Sequence, residues 1–79
     1  MKAVEILISE VLGVPRQVVT DDLQFQSIPE WDSLRHVDLM LALEAQLDVE
    51  IDADQMVELS SVSAIRSFVA TRKREPGST

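Results

Sequence analysis

The sequence predicts an all-α domain: a small four-helix bundle of three longer helices and one short one, with a long loop between the first and second. Three observations carry this expectation. Apolar residues make up 46% of the chain but aromatic ones only 4%, the balance of helices packed through Leu, Val and Ile. Apolar positions recur at helical spacing along most of the chain rather than alternating. Glycines number only two, and hairpin pairs such as Asn-Gly are absent.

Val4, Leu7, Ile8, Val11 and Leu12 fall at i, i+3, i+4, i+7 and i+8, the spacing of one helical face. Gly13 suits a left-handed C-terminal position and Pro15 prevents continuation, so the first helix should stop near Leu12. Residues 14–31 hold no sustained period. Pro15-Arg16-Gln17-Val18-Val19 suits one short helical turn with Pro at its first position. Leu23, Phe25 and Ile28 are candidates to pin the rest of this loop to the core. A connection this long in so small a domain is uncommon unless it has a task.

The second helix is expected over residues 33–47, with Asp32 or Ser33 as its cap. Asp52 and Gln55 are spaced as a capping box, and Ile51 and Met56 as a hydrophobic staple, so a third, short helix should follow and end near Glu58 or Leu59. Ser60 or Ser61 then caps a fourth, with Val62, Ile65, Phe68 and Val69 as its apolar stripe. Arg72, Lys73 and Arg74 suit the negative end of its dipole. Seventy-nine residues allow one small domain. We expect it to span 1–72, with 73–79 as a tail.

The formal charge is −7, from fourteen Asp and Glu against seven Lys and Arg. Ahead of Arg66 the imbalance is sharper, with thirteen acids facing only Lys2, Arg16 and Arg35. Such a surface repels nucleic acid and anionic lipid and attracts basic partners. With no cysteine there is neither disulfide nor thiolate metal site, and His36 is the only histidine, so no metal site is expected. The first apolar stretch is broken by Glu5 and Glu10 and is too short to span a bilayer, which needs about 20 apolar residues. A soluble, cytoplasmic protein is expected, with monomer as the default state.

At about 100° per residue the second helix carries two apolar stripes. Leu39, Met40, Leu43 and Leu47 cluster on one side; Leu34, Val37 and Leu41 lie nearly opposite, bordered by Asp38, Glu44 and Asp48. One stripe suffices to bury a helix in a bundle. The second reads either as a further buried side or as a docking surface, where apolar contacts supply affinity and carboxylates set orientation.

The run Asp32-Ser33-Leu34, followed by Val37-Asp38-Leu39, Ala42-Leu43-Glu44 and Val49-Glu50-Ile51-Asp52, resembles the attachment region of acyl carrier proteins. The likeness extends from the first residue to about Val69. It implies the helix order derived above, a stand-alone carrier and no catalytic residue. It also implies that Ser33, flanked by Asp32 and Leu34, bears 4′-phosphopantetheine taken from coenzyme A by a phosphopantetheinyl transferase. The thiol of that arm would hold acyl groups as thioesters. Acyl-loading and acyl-processing enzymes, of acyltransferase, ketosynthase or ligase type, would then read the second helix through Leu34, Arg35, Val37, Asp38, Leu41, Glu44 and Asp48.

Two departures stand out. Arg35 occupies a place usually acidic in fatty-acid carriers, which points to a dedicated, polyketide-like pathway. Pro29-Glu30-Trp31 replaces a stretch that often holds glycine, and Trp31 braces the loop, contacts the arm or is plain packing.

Ser33 is suited to attachment rather than catalysis. A loop–helix junction exposes it, and a helix N-terminus favours an attached phosphodiester. A catalytic serine needs a partner base held by a third group. His36 lies one turn along, but no acid is placed to orient its ring, and a Gly-rich elbow is absent. Two rival readings remain open from the residues: an aminoacyl or peptidyl carrier of the non-ribosomal type, and a helical interaction domain in which Ser33 is only a cap.

Overall fold

A computed structural model describes residues 3–73; residues 74–79, most of the expected tail, lie outside the described part. Four α-helices follow one another as α1 (Val4–Leu12), α2 (Ser33–Leu47), α3 (Ala53–Glu58) and α4 (Val62–Lys73), with a short 3₁₀ turn at Arg16–Val18. The described residues form no named strand, and the all-α bundle expected from the sequence is the architecture observed.

Each boundary has a local cause. Gly13 ends α1 in the left-handed region at φ 71°, where its N–H donates to Ser9 O, and the Val14 N–H donates to the same carbonyl. The Asp32 carboxylate accepts from the Arg35 N–H and opens α2. Asp48 closes that helix at φ 55°, a region Asp tolerates better than most residues, with its N–H on Glu44 O. Asp52 caps α3 through the Gln55 N–H, and the Ser61 hydroxyl accepts from the Ala64 N–H at the start of α4.

Leu7, Ile8 and Leu12 of α1 meet Leu39, Met40 and Leu43 of α2, with Val62, Ile65 and Val69 of α4 completing the core. Packing of α1 against both α2 and α4 makes these three helices the frame. The helix α3 buries less, contributing half-buried Met56 between buried Ile51 and Leu59.

The long loop is anchored to the core at several points. Leu23 and Trp31 are buried, while Phe25 and Ile28 are half-buried against the core. Gln24 and Ser61 form an isolated antiparallel bridge, through Phe25 N–H to Ser60 O and Val62 N–H to Leu23 O. The loop is therefore stitched to the start of α4, a pairing that helical periodicity does not reveal. Arg66 adds ion pairs to Glu5 and Asp21, tying α4 to α1 and the loop. The Glu5 carboxyl is held below its usual value first by a backbone hydrogen bond at the start of α1 and then by Arg66.

Candidate functional site

The junction between the loop and α2 delivers Ser33 as the first residue of a fifteen-residue helix. Its side chain is exposed, as are Asp32 and Leu34. The Asp32 carboxylate occupies one free N–H of the first turn and Asp32 O accepts from the His36 N–H, which fixes the backbone on either side of Ser33. The remaining amides and the positive end of the helix dipole face the same solvent as the hydroxyl.

Behind the junction lies a buried polar pair. Trp31 is fully buried, and its indole N–H donates to His36 Nδ1 at 3.0 Å. Because an indole nitrogen is a donor only, Nδ1 must be the acceptor, so the ring proton sits on Nε2. That nitrogen then donates to Met56 O at 2.8 Å. His36 thus uses both ring nitrogens to link the loop, α2 and α3. Phe25 closes the cluster, edge-on to Trp31 with centroids 6.5 Å apart and tilted against His36 at 5.0 Å. Of the roles the sequence allowed Trp31, its burial and its bond to His36 support packing that braces the loop. The sequence also left His36 without a partner to orient its ring; an indole does so instead of an acid. The signal was a Trp-x₄-His spacing straddling a helix start, which no periodicity rule detects.

The two stripes of α2 separate as expected. Leu39, Met40 and Leu43 are fully buried, and Leu47 is half-buried. On the other side Leu34, Val37 and Leu41 are 70%, 43% and 54% exposed, so this stripe is a surface and not a second buried side. Asp38 and Asp48 are exposed beside it.

Two of the charged residues singled out for docking have structural partners. The Glu44 carboxylate accepts from the Ile51 N–H at 2.7 Å and fastens the connection into α3. The Arg35 guanidinium donates to Leu12 O at 2.6 Å, closing the end of α1 just before Gly13. A Cβ at Gly13 would sit 3.6 Å from Arg35 Nη1, so the side chain crosses directly over that glycine. Arg35 therefore turns toward α1, and its charge is already matched to the negative end of a helix.

Among the described residues no group of His, Cys, Asp and Glu is arranged to hold a metal, and no helix is long and apolar enough to cross a membrane. The fit to a phosphodiester-linked arm is good: one exposed hydroxyl on a braced backbone, with helix N–H groups and a positive dipole end beside it.

The family model for the phosphopantetheine attachment site matches residues 2–69. This chain belongs to the phosphopantetheine-binding acyl carrier proteins. It is 33% identical over 69 residues to an acyl carrier protein of Guillardia theta, covering 87% of this chain and 85% of that one. It is 28% identical over 67 residues to acyl carrier proteins of Rickettsia canadensis and Rickettsia felis, covering 85% of this chain and 78% of each. Members of this family are carriers and not enzymes, and phosphopantetheine is their cofactor.

Proposed function

We propose that Ser33 is the serine that receives 4′-phosphopantetheine and that the carrier serves a polyketide- or fatty-acid-like pathway. The observation that carries the assignment is the placement of Ser33: exposed, first in α2, and flanked by a capping Asp32 and a buried Trp31 that hold its backbone still. When bound, the arm supplies a thiol that tethers acyl groups as thioesters. The chain's own residues hold the attachment point, anchor the loop that leads to it and present an address to partners.

That address is the strip of Leu34, Val37 and Leu41, with Asp38 and Asp48 on its border. The phosphopantetheinyl transferase and acyl-loading or acyl-processing enzymes, of acyltransferase, ketosynthase or ligase type, would dock here through apolar contacts oriented by basic residues of their own. Glu44 and Arg35 act in this reading through the backbone they fasten, and Arg35 leaves the strip less acidic than an all-carboxylate face. A cytoplasmic location belongs to this reading, as a compartment that supplies coenzyme A. The names of the similar proteins favour an acyl over an aminoacyl cargo.

The absence of cysteine makes a direct test available, because the only thiol on the loaded protein would be that of the arm. After incubation with coenzyme A, magnesium and a promiscuous phosphopantetheinyl transferase, and removal of free coenzyme A, wild type should take up one equivalent of a maleimide dye. Ser33→Ala should take up none. Equal labelling of the two, or labelling of neither, contradicts the assignment.

A further inference from the structure

An arm on Ser33 can send its cargo either into the helical core or along the outside, and the residues one turn beyond Ser33 distinguish these routes. An apolar cleft of about 280 Å³ opens on the surface between the loop, α2 and α3, lined by Phe25, His36, Met56, Val57 and Ser60. His36 is three residues from Ser33 on the same helix, about 4.5 Å along its axis. A residue lining the cleft therefore lies within one helical turn of the attachment point. The mouth of the cleft is marked by Val57, 75% exposed on α3.

Its floor is closed by hydrogen bonds. His36 Nε2 is bonded to Met56 O across the gap between α2 and α3, and Trp31 stands behind His36 with its N–H on Nδ1. Beyond them Leu39, Met40, Leu43, Val62 and Ile65 are fully buried. To pass between α2 and α3 at this point, an alkyl chain would have to part His36 from the Met56 carbonyl. It offers no donor or acceptor in return, so the imidazole N–H and the carbonyl would both be left unsatisfied. The indole bond behind fixes the ring and keeps it from swinging aside.

We propose that His36, clamped between the Trp31 indole and the Met56 carbonyl, shuts the helical core against cargo, and that this carrier takes short acyl groups resting in the outer cleft. The inference builds on Ser33 as the attachment point. A dry cavity of about 150 Å³ holds one benzene. The outer cleft is not quite twice that size and must also seat the end of the arm, which suits an acyl unit of a few carbons. A long chain on this carrier stays exposed along α3.

The test compares acetyl- and octanoyl-loaded wild type, each first shown by intact mass to carry one acylated arm, with the unacylated loaded form. In methyl-labelled samples both cargoes should shift Val57 and Met56 and leave Leu43 and Ile65 in place. The octanoyl form should melt within about 2 °C of the unacylated form, whereas burying several methylenes would raise the melting temperature by ~10 °C or more. In His36→Ala the octanoyl group should reach the core, moving Leu43 and Ile65 and raising the melting temperature. Movement of the core methyls with a large thermal gain in wild type overturns the closure. A folded His36→Ala protein whose core still ignores octanoyl overturns the role of His36. Because loading is established by mass beforehand, a missing arm would count against Ser33 and not against the closure; should His36→Ala fail to fold, the wild-type pair still decides.

Discussion

Trp31→Ala is expected to lower the unfolding free energy by about 4 kcal/mol, the range found for emptying a large aromatic site. Trp31 is fully buried beside Phe25 and His36, so little of the void can be filled by solvent-side collapse. The substitution also strands His36 Nδ1, and a buried polar group without its partner costs about 1–3 kcal/mol. A domain of this length has a total stability of roughly 4–12 kcal/mol, so the loss takes away a large share of it. Urea unfolding followed by far-UV circular dichroism measures the effect, since the variant has no tryptophan to report fluorescence. Trp31→Phe keeps most of the volume and should lose only about 1–2 kcal/mol. A loss below about 1.5 kcal/mol for Trp31→Ala would mean that the loop is anchored elsewhere, by Leu23 and the Gln24–Ser61 bridge.

Converting the α2 strip from apolar to acidic should damage partner chemistry while sparing the fold. For Leu34→Asp combined with Leu41→Asp we expect a fall of about 30-fold or more in kcat/KM for arm transfer by the phosphopantetheinyl transferase. That is what losing about 2 kcal/mol of hot-spot contact implies. Both side chains are more than half exposed, so the unfolding free energy should move by no more than about 0.5 kcal/mol per site. The pairing of these readouts matters. Loss of transfer with unchanged stability marks a recognition surface; unchanged transfer would remove the strip from the docking face; loss of both would mean that the helix itself had been disturbed. Leu39, buried in the same helix, is the useful contrast, since a change there should act through stability.

Much of the fold was legible because its signals are local. Gly13 with Pro15, Asp32 before α2, Asp52 with Gln55, and Ser61 before α4 each act within one helical turn, and each marks the boundary observed. The exposed stripe of α2 was legible from period alone, as a choice between a buried side and a docking surface, and exposure excludes the buried one. What the sequence hid is non-local. Nothing in the spacing pairs Gln24 with Ser61, sends Arg35 to a carbonyl 23 residues away, or gives the Glu44 carboxylate to the Ile51 amide. The His36 bonds were hidden for a second reason. The sequence offers no acid to orient the ring of His36, because its partner is a tryptophan in the preceding loop. Charge class alone did not show that Arg35 and Glu44, singled out as docking charges, also bond a backbone carbonyl and a backbone amide.

The most direct measurement on the central claim is the intact mass of wild type and Ser33→Ala after incubation with coenzyme A and a promiscuous phosphopantetheinyl transferase, with fragmentation to locate the added group. The expected result is a gain of one phosphopantetheine on wild type, carried by the fragment containing Ser33, and none on the variant. A gain on both proteins, a gain located elsewhere in the chain, or no gain on a wild type that remains folded would contradict it.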